Sequence, residues 1–372
     1  MKIAYVLDSY PTLSETFIAR EIEALRRCGF VIEIFALRAG DGAHPVEASG
    51  SSTFSRAVRV LERACCGREA AFARMGAQWW HSVGSKFGFD WIHGGFASHP
   101  AGIAWGAARA AALPWSFSGH ARDIFVDTAS LAQKIGAAHF VSVCTRVGQQ
   151  HLQQLAPAHA GKILYVPHGL GVEEYPFQDV FARPLQANTP RRLLSVGRLV
   201  EKKGFLVLLR ALSILRSHEY SVQASIVGEG PQRRVLEREI ARLELRGIVR
   251  LEGSQSHEGV RRQMQRCHCL VVPSVVARDG DRDGLPNVLL EAAACGVPLV
   301  ASRVGGVSDF LDESTGRLAA PGDAQTLAML IQQTFEEPEK THELCRAARR
   351  RVEADFDLER NIQLLAQAFR RR

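Results

Sequence analysis

The sequence predicts an α/β protein built from two Rossmann-like domains of similar size that face each other across a cleft. Three observations carry this prediction. Apolar strand-like runs alternate with helical runs along nearly the whole chain, the pattern of βαβ units around a mainly parallel sheet. The alternation breaks at 176–190, PFQDVFARPLQANTP, which is rich in proline and polar residues, and then restarts. A length of 372 residues is too great for one ordinary core and suits two.

In the first series, Lys2 to Asp8 is an apolar strand. Thr12 and Glu15 have capping-box spacing ahead of a helix through Phe17, Ile18, Ile22 and Leu25, which Gly29 stops. Val31 to Leu37, Asp90 to His93, Trp115 to Ser118, His139 to Cys144 and Ile163 to Val166 follow as strands. In the second series, strands are expected at Arg192 to Val196, Ser221 to Val227, Ile248 to Glu252, Leu270 to Pro273 and Pro298 to Ala301. Helices are expected at Phe205 to Leu215 and Gln232 to Leu245. In sheets of this kind ligands sit beyond the carboxyl ends of the strands, and the cleft between two such domains is the expected site.

Composition narrows the function classes. Hydrophobic residues are 46% and charged residues 23%, which is a globular balance. No apolar run reaches the roughly 18 residues that a membrane span needs. The opening MKIAYVLDSYP reads as a first strand, not a signal peptide. A net charge of +7 suits anionic ligands, but neither an RNP-like motif nor zinc-finger spacing supports nucleic acid. The eight cysteines show no disulfide framework and no paired metal spacing, and they point to a reducing, cytoplasmic setting. Cys267 and Cys269 flank His268 in CHCLVVPS, which reads as a buried strand.

Four stretches carry chemistry. In GDRDGLPNVLLEAAACGVPLVAS, Asp283 and Glu291 stand eight positions apart. Pro286 suits the first turn of a helix that ends near Gly296, and the helix N-terminus offers free N–H groups to an anion. A carboxylate can accept hydrogen bonds from two neighbouring hydroxyls. Two carboxylates around a phosphate-binding helix end therefore suit a ligand with hydroxyls at both ends and phosphate between, such as a nucleoside diphosphate sugar. In SVGRLVEKKG a strand ends at Gly197, and Arg198, Lys202 and Lys203 follow. Two of the chain's seven lysines are adjacent here, placed to clamp a diphosphate. VGEGP, from Val227, is a tight strand-to-helix turn. In FSGHARDIF, His120 follows a strand end and can position or polarise a reacting group. His93, His99 and His168 also stand near strand ends.

Together these motifs resemble the retaining glycosyltransferases of family 4, which have the GT-B fold. SVGRLVEKKG, VGEGP, VVPS, GDRDGLPNVLLEAAACGVPLVAS and VGGVSDFL occur in family order, and YPTLSETFIAREIEAL is similar to the colanic-acid-type branch that builds bacterial exopolysaccharides. The resemblance implies an acceptor domain over 1–175, a donor domain over 190–355 and a helix within 356–372 that crosses back to the first domain. It matches Arg198 and Lys203 to the pair that binds the donor diphosphate, with Gly305 and Gly306 in a loop close to the donor. Glu291 matches the acid that holds the ribose, and Asp283 the acid that faces the transferred sugar. The family usually has Glu at the latter position, so Asp283 is a departure. His120 matches the histidine near the reacting centre. PTLSET replaces the usual glycine-rich first loop, and Ser14 and Thr16 could supply hydroxyl or N–H groups there. The resemblance also implies retention by front-face attack, with positive side chains in place of a metal and no cofactor.

The branch implies a polyprenyl-diphosphate-linked glycan as acceptor. Ser55 to Met75 carries Arg56, Arg59 and Arg63 at helical spacing, with Arg68 and Arg74 beyond. It reads either as a basic amphipathic helix on the anionic inner face of the plasma membrane or as a solvated helix packed on the sheet. Two other functions stay open: an epimerase-like enzyme of the same fold, and a non-catalytic nucleotide-sugar-binding protein. A dinucleotide oxidoreductase fits less well, because no G-x-G-x-x-G follows the first strand.

Overall fold

The computed structural model describes residues 1–12, 16–40, 68–178 and 189–371. It divides into two units, Met1–Gly169 with Leu358–Arg372, and Leu170–Asp357.

In the first unit the order is β1 (Lys2–Tyr10), α1 (Thr16–Arg27), β2 (Val31–Ala39), α2 (Arg68–Ser82), β3 (Trp91–Gly94), α3 (His99–Ala111), β4 (Trp115–Gly119), α4 (Ala121–Phe125), α5 (Leu131–Ala137), β5 (Phe140–Val143), α6 (Arg146–Leu155) and β6 (Ile163–Tyr165). The strands form one parallel sheet in the order β2-β1-β3-β4-β5-β6. Ile3 to Leu7 of β1 are buried without interruption, as expected of a strand covered on both faces.

The second unit contains β7 (Arg191–Val196), α7 (Phe205–Ser217), β8 (Val222–Val227), α8 (Arg233–Arg242), β9 (Val249–Gly253), α9 (His257–Met264), β10 (Cys269–Val272), α10 (Asn287–Cys295), β11 (Leu299–Ser302), α11 (Val307–Phe310), β12 (Arg317–Ala319), α12 (Ala324–Glu336) and α13 (Pro338–Asp355). Its parallel sheet runs β12-β11-β10-β7-β8-β9. The edge strand β12 lies outside the pattern read from the sequence.

The change of unit comes at Gly169/Leu170, earlier than the break expected after 175. Leu170, Val172 and Tyr175 are buried in the second unit's core with Leu289, Ala293 and Phe356. Gln178 N also donates to Cys295 O at 2.9 Å. The prolines at 176–190 mark no boundary at their start.

The last helix, α14 (Leu358–Arg370), belongs to the first unit. Its buried Ile362, Leu365, Ala366 and Phe369 recur at helical spacing, which makes one apolar stripe. The Phe369 ring lies 5.2 Å from Phe140 and 5.7 Å from Trp91, edge to face in both cases.

Residues 55–67 of the basic stretch, with Arg56, Arg59 and Arg63, lie outside the described residues. Its remainder opens α2, which packs along α3. Ala71, Phe72 and Met75 are buried in the first unit, and Arg74 is exposed. The apolar side of this part is therefore covered by protein.

Phe369→Ala should cost about 3–5 kcal/mol, as expected for a large ring lost from a closed core. Urea unfolding read at the first unit's tryptophans should show the lowered midpoint. An unchanged midpoint would contradict the packing of α14.

Candidate functional site

The second sheet has a switch point. From β7 the chain goes to one side through β8 and β9, then returns on the other side with β10. Two loops leave the carboxyl ends of adjacent strands there, which is where ligands of doubly wound sheets bind. One carries Gly197 to Lys203 after β7. The other carries Pro273 to Pro286 after β10.

The loops meet closely. Gly204 has φ +65°, and a Cβ there would stand 1.8 Å from Pro273 O. Lys203 Nζ lies 3.0 Å from Asp283 Oδ1 and donates to Oδ2 at 3.0 Å. The Ser274 hydroxyl donates to the same Oδ2 at 2.6 Å. Beside this pair, Lys202 Nζ donates to Asp281 Oδ1 at 3.1 Å. Asp283 is 5% exposed and Glu291 6%, so neither is a surface acid. Burial pushes the Asp283 carboxyl up, but Lys203, Lys202 and the Ser274 hydroxyl outweigh it and hold it below the usual range.

A third loop follows β11. Gly305 has φ +57°, and a Cβ there would come 1.9 Å from Asp283 O, so only glycine fits. Gly306 N donates to Gly284 O at 3.0 Å. Lys203, Asp283, Gly305 and Gly306 are thus joined in one chain of contacts. Arg198 is exposed in the loop after β7.

Pro286 stands at the N-cap of α10, just outside the first turn where the sequence suggested it. Glu291 lies about one turn in. Its Oε1 is 3.4 Å from His257 Nε2, which in turn is 2.7 Å from the Tyr175 hydroxyl. Sequence reasoning missed Tyr175 and His257. It quoted Ser274 only as the end of VVPS.

In the first unit, His120 caps α4. Its backbone N donates to Asp123 Oδ1 at 2.8 Å, and Asp123 Oδ2 accepts from Ala97 N at 2.6 Å. The ring packs against Phe96 and Phe17, at 4.8 and 5.0 Å. Nε2–H donates to Gly95 O at 3.2 Å. Burial pushes the imidazole down to about 4, so it is neutral at pH 7. Burial also pushes the Asp123 carboxyl up to about 6.

His93 and His99 have structural partners. His93 lies fully buried between the Ser116 and Ser118 hydroxyls. His99 faces Asp8 at 3.4 Å and stacks on Phe72. Cys267 and Cys269 are buried thiols pushed up by burial, Cys267 to about 12. His268 Nδ1 accepts from Arg192 N. Ser14 lies outside the described residues, and Thr16 opens α1. No helix among the described residues is long and apolar enough to cross a membrane.

Residues 177–351 match the family described as glycosyl transferases group 1. The amylovoran biosynthesis glycosyltransferase AmsK of Erwinia amylovora is 34% identical over 183 residues, which are 49% of this chain and 45% of that protein. The putative colanic acid biosynthesis glycosyltransferase WcaL of Escherichia coli K12 is 26% identical over 408 aligned positions, covering 99% of this chain and all of its own. Among solved structures, Anabaena HepE in complex with UDP-glucose superposes with a TM-score of 0.74 at 21% identity, covering 100% of this chain and 99% of that one. The likeness shows the GT-B fold.

Asp283→Asn should lower stability by about 3 kcal/mol at pH 7, because it leaves Lys203 beside a neutral group. Asp283 is held below its ordinary 3.8 in the folded chain. Its contribution is therefore present above that value and lost as pH falls through the lower folded pKa. Urea titrations of both proteins should show a gap at pH 7 that narrows as the pH falls below the ordinary 3.8 and through the lower folded pKa. A gap independent of pH would contradict the ion pair.

Proposed function

We propose that the chain, whose residues 177–351 match the family described as glycosyl transferases group 1, transfers a hexose from a nucleoside diphosphate sugar to an acceptor hydroxyl, with retention at the anomeric carbon. The observation that carries the reading is the Lys203–Asp283–Ser274 cluster at the β7/β10 switch point, set against Gly305 and followed by buried Glu291.

In this reading the first-turn N–H groups of α10, with Arg198 and Lys203, hold the donor diphosphate. Glu291 accepts from the ribose hydroxyls, with His257 beside it. Asp283 and the Gly305–Gly306 loop face the transferred sugar. The C1–O bond to the diphosphate breaks with oxocarbenium character while a C1–O bond to the acceptor forms on the same face. The acceptor proton passes to the departing phosphate oxygen. The cations and helix end stabilise the charge that leaves, so the reading needs no metal and no cofactor. His120, neutral and held by Gly95, is the group assigned to position a reacting hydroxyl. The relatives named for amylovoran and colanic acid biosynthesis support a glycan acceptor, and in this reading that glycan is lipid-linked and met at an anionic membrane surface.

UDP-, GDP- and ADP-sugars should be titrated by calorimetry, with UDP-glucose first because HepE was solved with it. One class should bind, and Glu291→Ala and Lys203→Ala should each weaken it about 10- to 100-fold, the cost of hydrogen bonds to a charged group. His120→Ala should lower turnover more than affinity. Equal affinity in all variants would refute the assignment. It would also favour neither of the rival nucleotide-sugar functions.

The membrane part has its own test. Replacing Arg56, Arg59 and Arg63 with Gln should weaken binding to anionic vesicles at least tenfold, on about 1 kcal/mol per basic residue. Unchanged binding would remove these arginines from the reading.

A further inference from the structure

The first sheet brings together three side chains that no role above unites. His120 follows β4, Cys144 follows β5 and His168 stands just past β6. These strands are adjacent and parallel, in the order β4-β5-β6, so the residues after their carboxyl ends converge. One ligand atom from each of His120, Cys144 and His168 lies within 4.8 Å of the others. We propose that these three side chains form a site for a thiophilic divalent cation, zinc or its analogue cobalt(II).

The donor set fits. Zinc takes thiolate and imidazole ligands, and a site with three protein ligands leaves a fourth position for water or a hydroxyl. The orientation of His120 fits as well. Gly95 O can only accept, so Nε2 carries the proton and Nδ1 presents its lone pair. That Nδ1 is the atom facing Cys144 Sγ, at 4.0 Å. A ligand histidine whose other N–H donates to a backbone carbonyl is the usual arrangement around zinc. The rings are also held in place. His168 stacks on Phe17 at 4.3 Å, and Phe17 and Phe96 flank His120.

Bonds of about 2.0 Å to nitrogen and about 2.3 Å to sulfur place ligand atoms roughly 3.3–3.6 Å apart in a tetrahedron. Closing from 4.8 Å takes about 1.2–1.5 Å of side-chain movement at these bond lengths. Binding replaces the Cys144 S–H proton by the metal, and that proton leaves to solvent. The redox state of neither partner changes. An occupied site would take Nδ1 of His120 and inhibit transfer. This consequence rests on the role proposed for His120, whereas the metal site itself does not.

The test is titration of the untagged, reduced protein with cobalt(II), read by absorption. The Cys65→Ser/Cys66→Ser background should be run in parallel, to exclude the adjacent thiols. The expected result in both is one equivalent of cobalt, with a thiolate-to-cobalt charge-transfer band and the visible bands of a tetrahedral ion. Zinc should bleach both signals. Cys144→Ser should lose the charge-transfer band, and His168→Ala should keep sulfur ligation but bind at least tenfold more weakly. Circular dichroism would check that each variant is folded. No stoichiometric band in the parent protein, or a band that persists in folded Cys144→Ser, would overturn the site, whatever the donor titrations show.

Discussion

The ion pair between Lys203 and Asp283 is the interaction around which the candidate site is built. It joins loops 80 positions apart in sequence at the one place where the second sheet reverses its winding. A buried carboxylate is costly unless paired and hydrogen-bonded. Asp283 meets that condition through Lys203 and Ser274 together. The close backbone contacts at Gly204 and Gly305 hold the two loops and the loop after β11 against each other. The order of strands creates the junction, and the pair fixes its geometry.

The same pair bears on ligand binding. Lys203 already has a negative partner, so in the proposed reading a diphosphate would offer it a second one and would not meet an isolated cation. The neighbouring Lys202–Asp281 pair is balanced in the same way. Arg198 is the exposed cation of the loop after β7. It can turn to a diphosphate without first breaking a buried contact. In the first unit, His120 is set by a different device: a buried capping acid, a backbone carbonyl and two aromatic rings fix a neutral imidazole.

Much of the fold was legible because each strand is locally apolar and each helix locally periodic. The β1 run from Ile3 to Leu7 and the α1 stripe of Ile18, Ile22 and Leu25 need no knowledge of their neighbours. The Asp283–Glu291 spacing was legible too, since one acid precedes the proline-capped apolar helix and the other lies about one turn inside it. Partnerships across the sheet were not legible. His257 reaches Glu291 from α9 and Tyr175 reaches His257 from the segment before β7, and only the folded unit brings them together. Ser274 looked like the end of an apolar strand, yet its hydroxyl serves Asp283. The unit boundary was misplaced by a few residues because Leu170, Val172 and Tyr175 are apolar, and apolarity alone does not say which core they enter. The short edge strand β12 gave no distinct run.

The central claim is that the β7/β10 switch point holds a nucleoside diphosphate sugar. Hydrogen exchange followed by mass spectrometry, with and without saturating UDP-glucose, tests it most directly. Added protection is expected in peptides spanning 197–204, 273–286 and 303–307 and in the first turn of α10. Binding of UDP-glucose with those peptides unchanged, and protection confined to other segments, would contradict it.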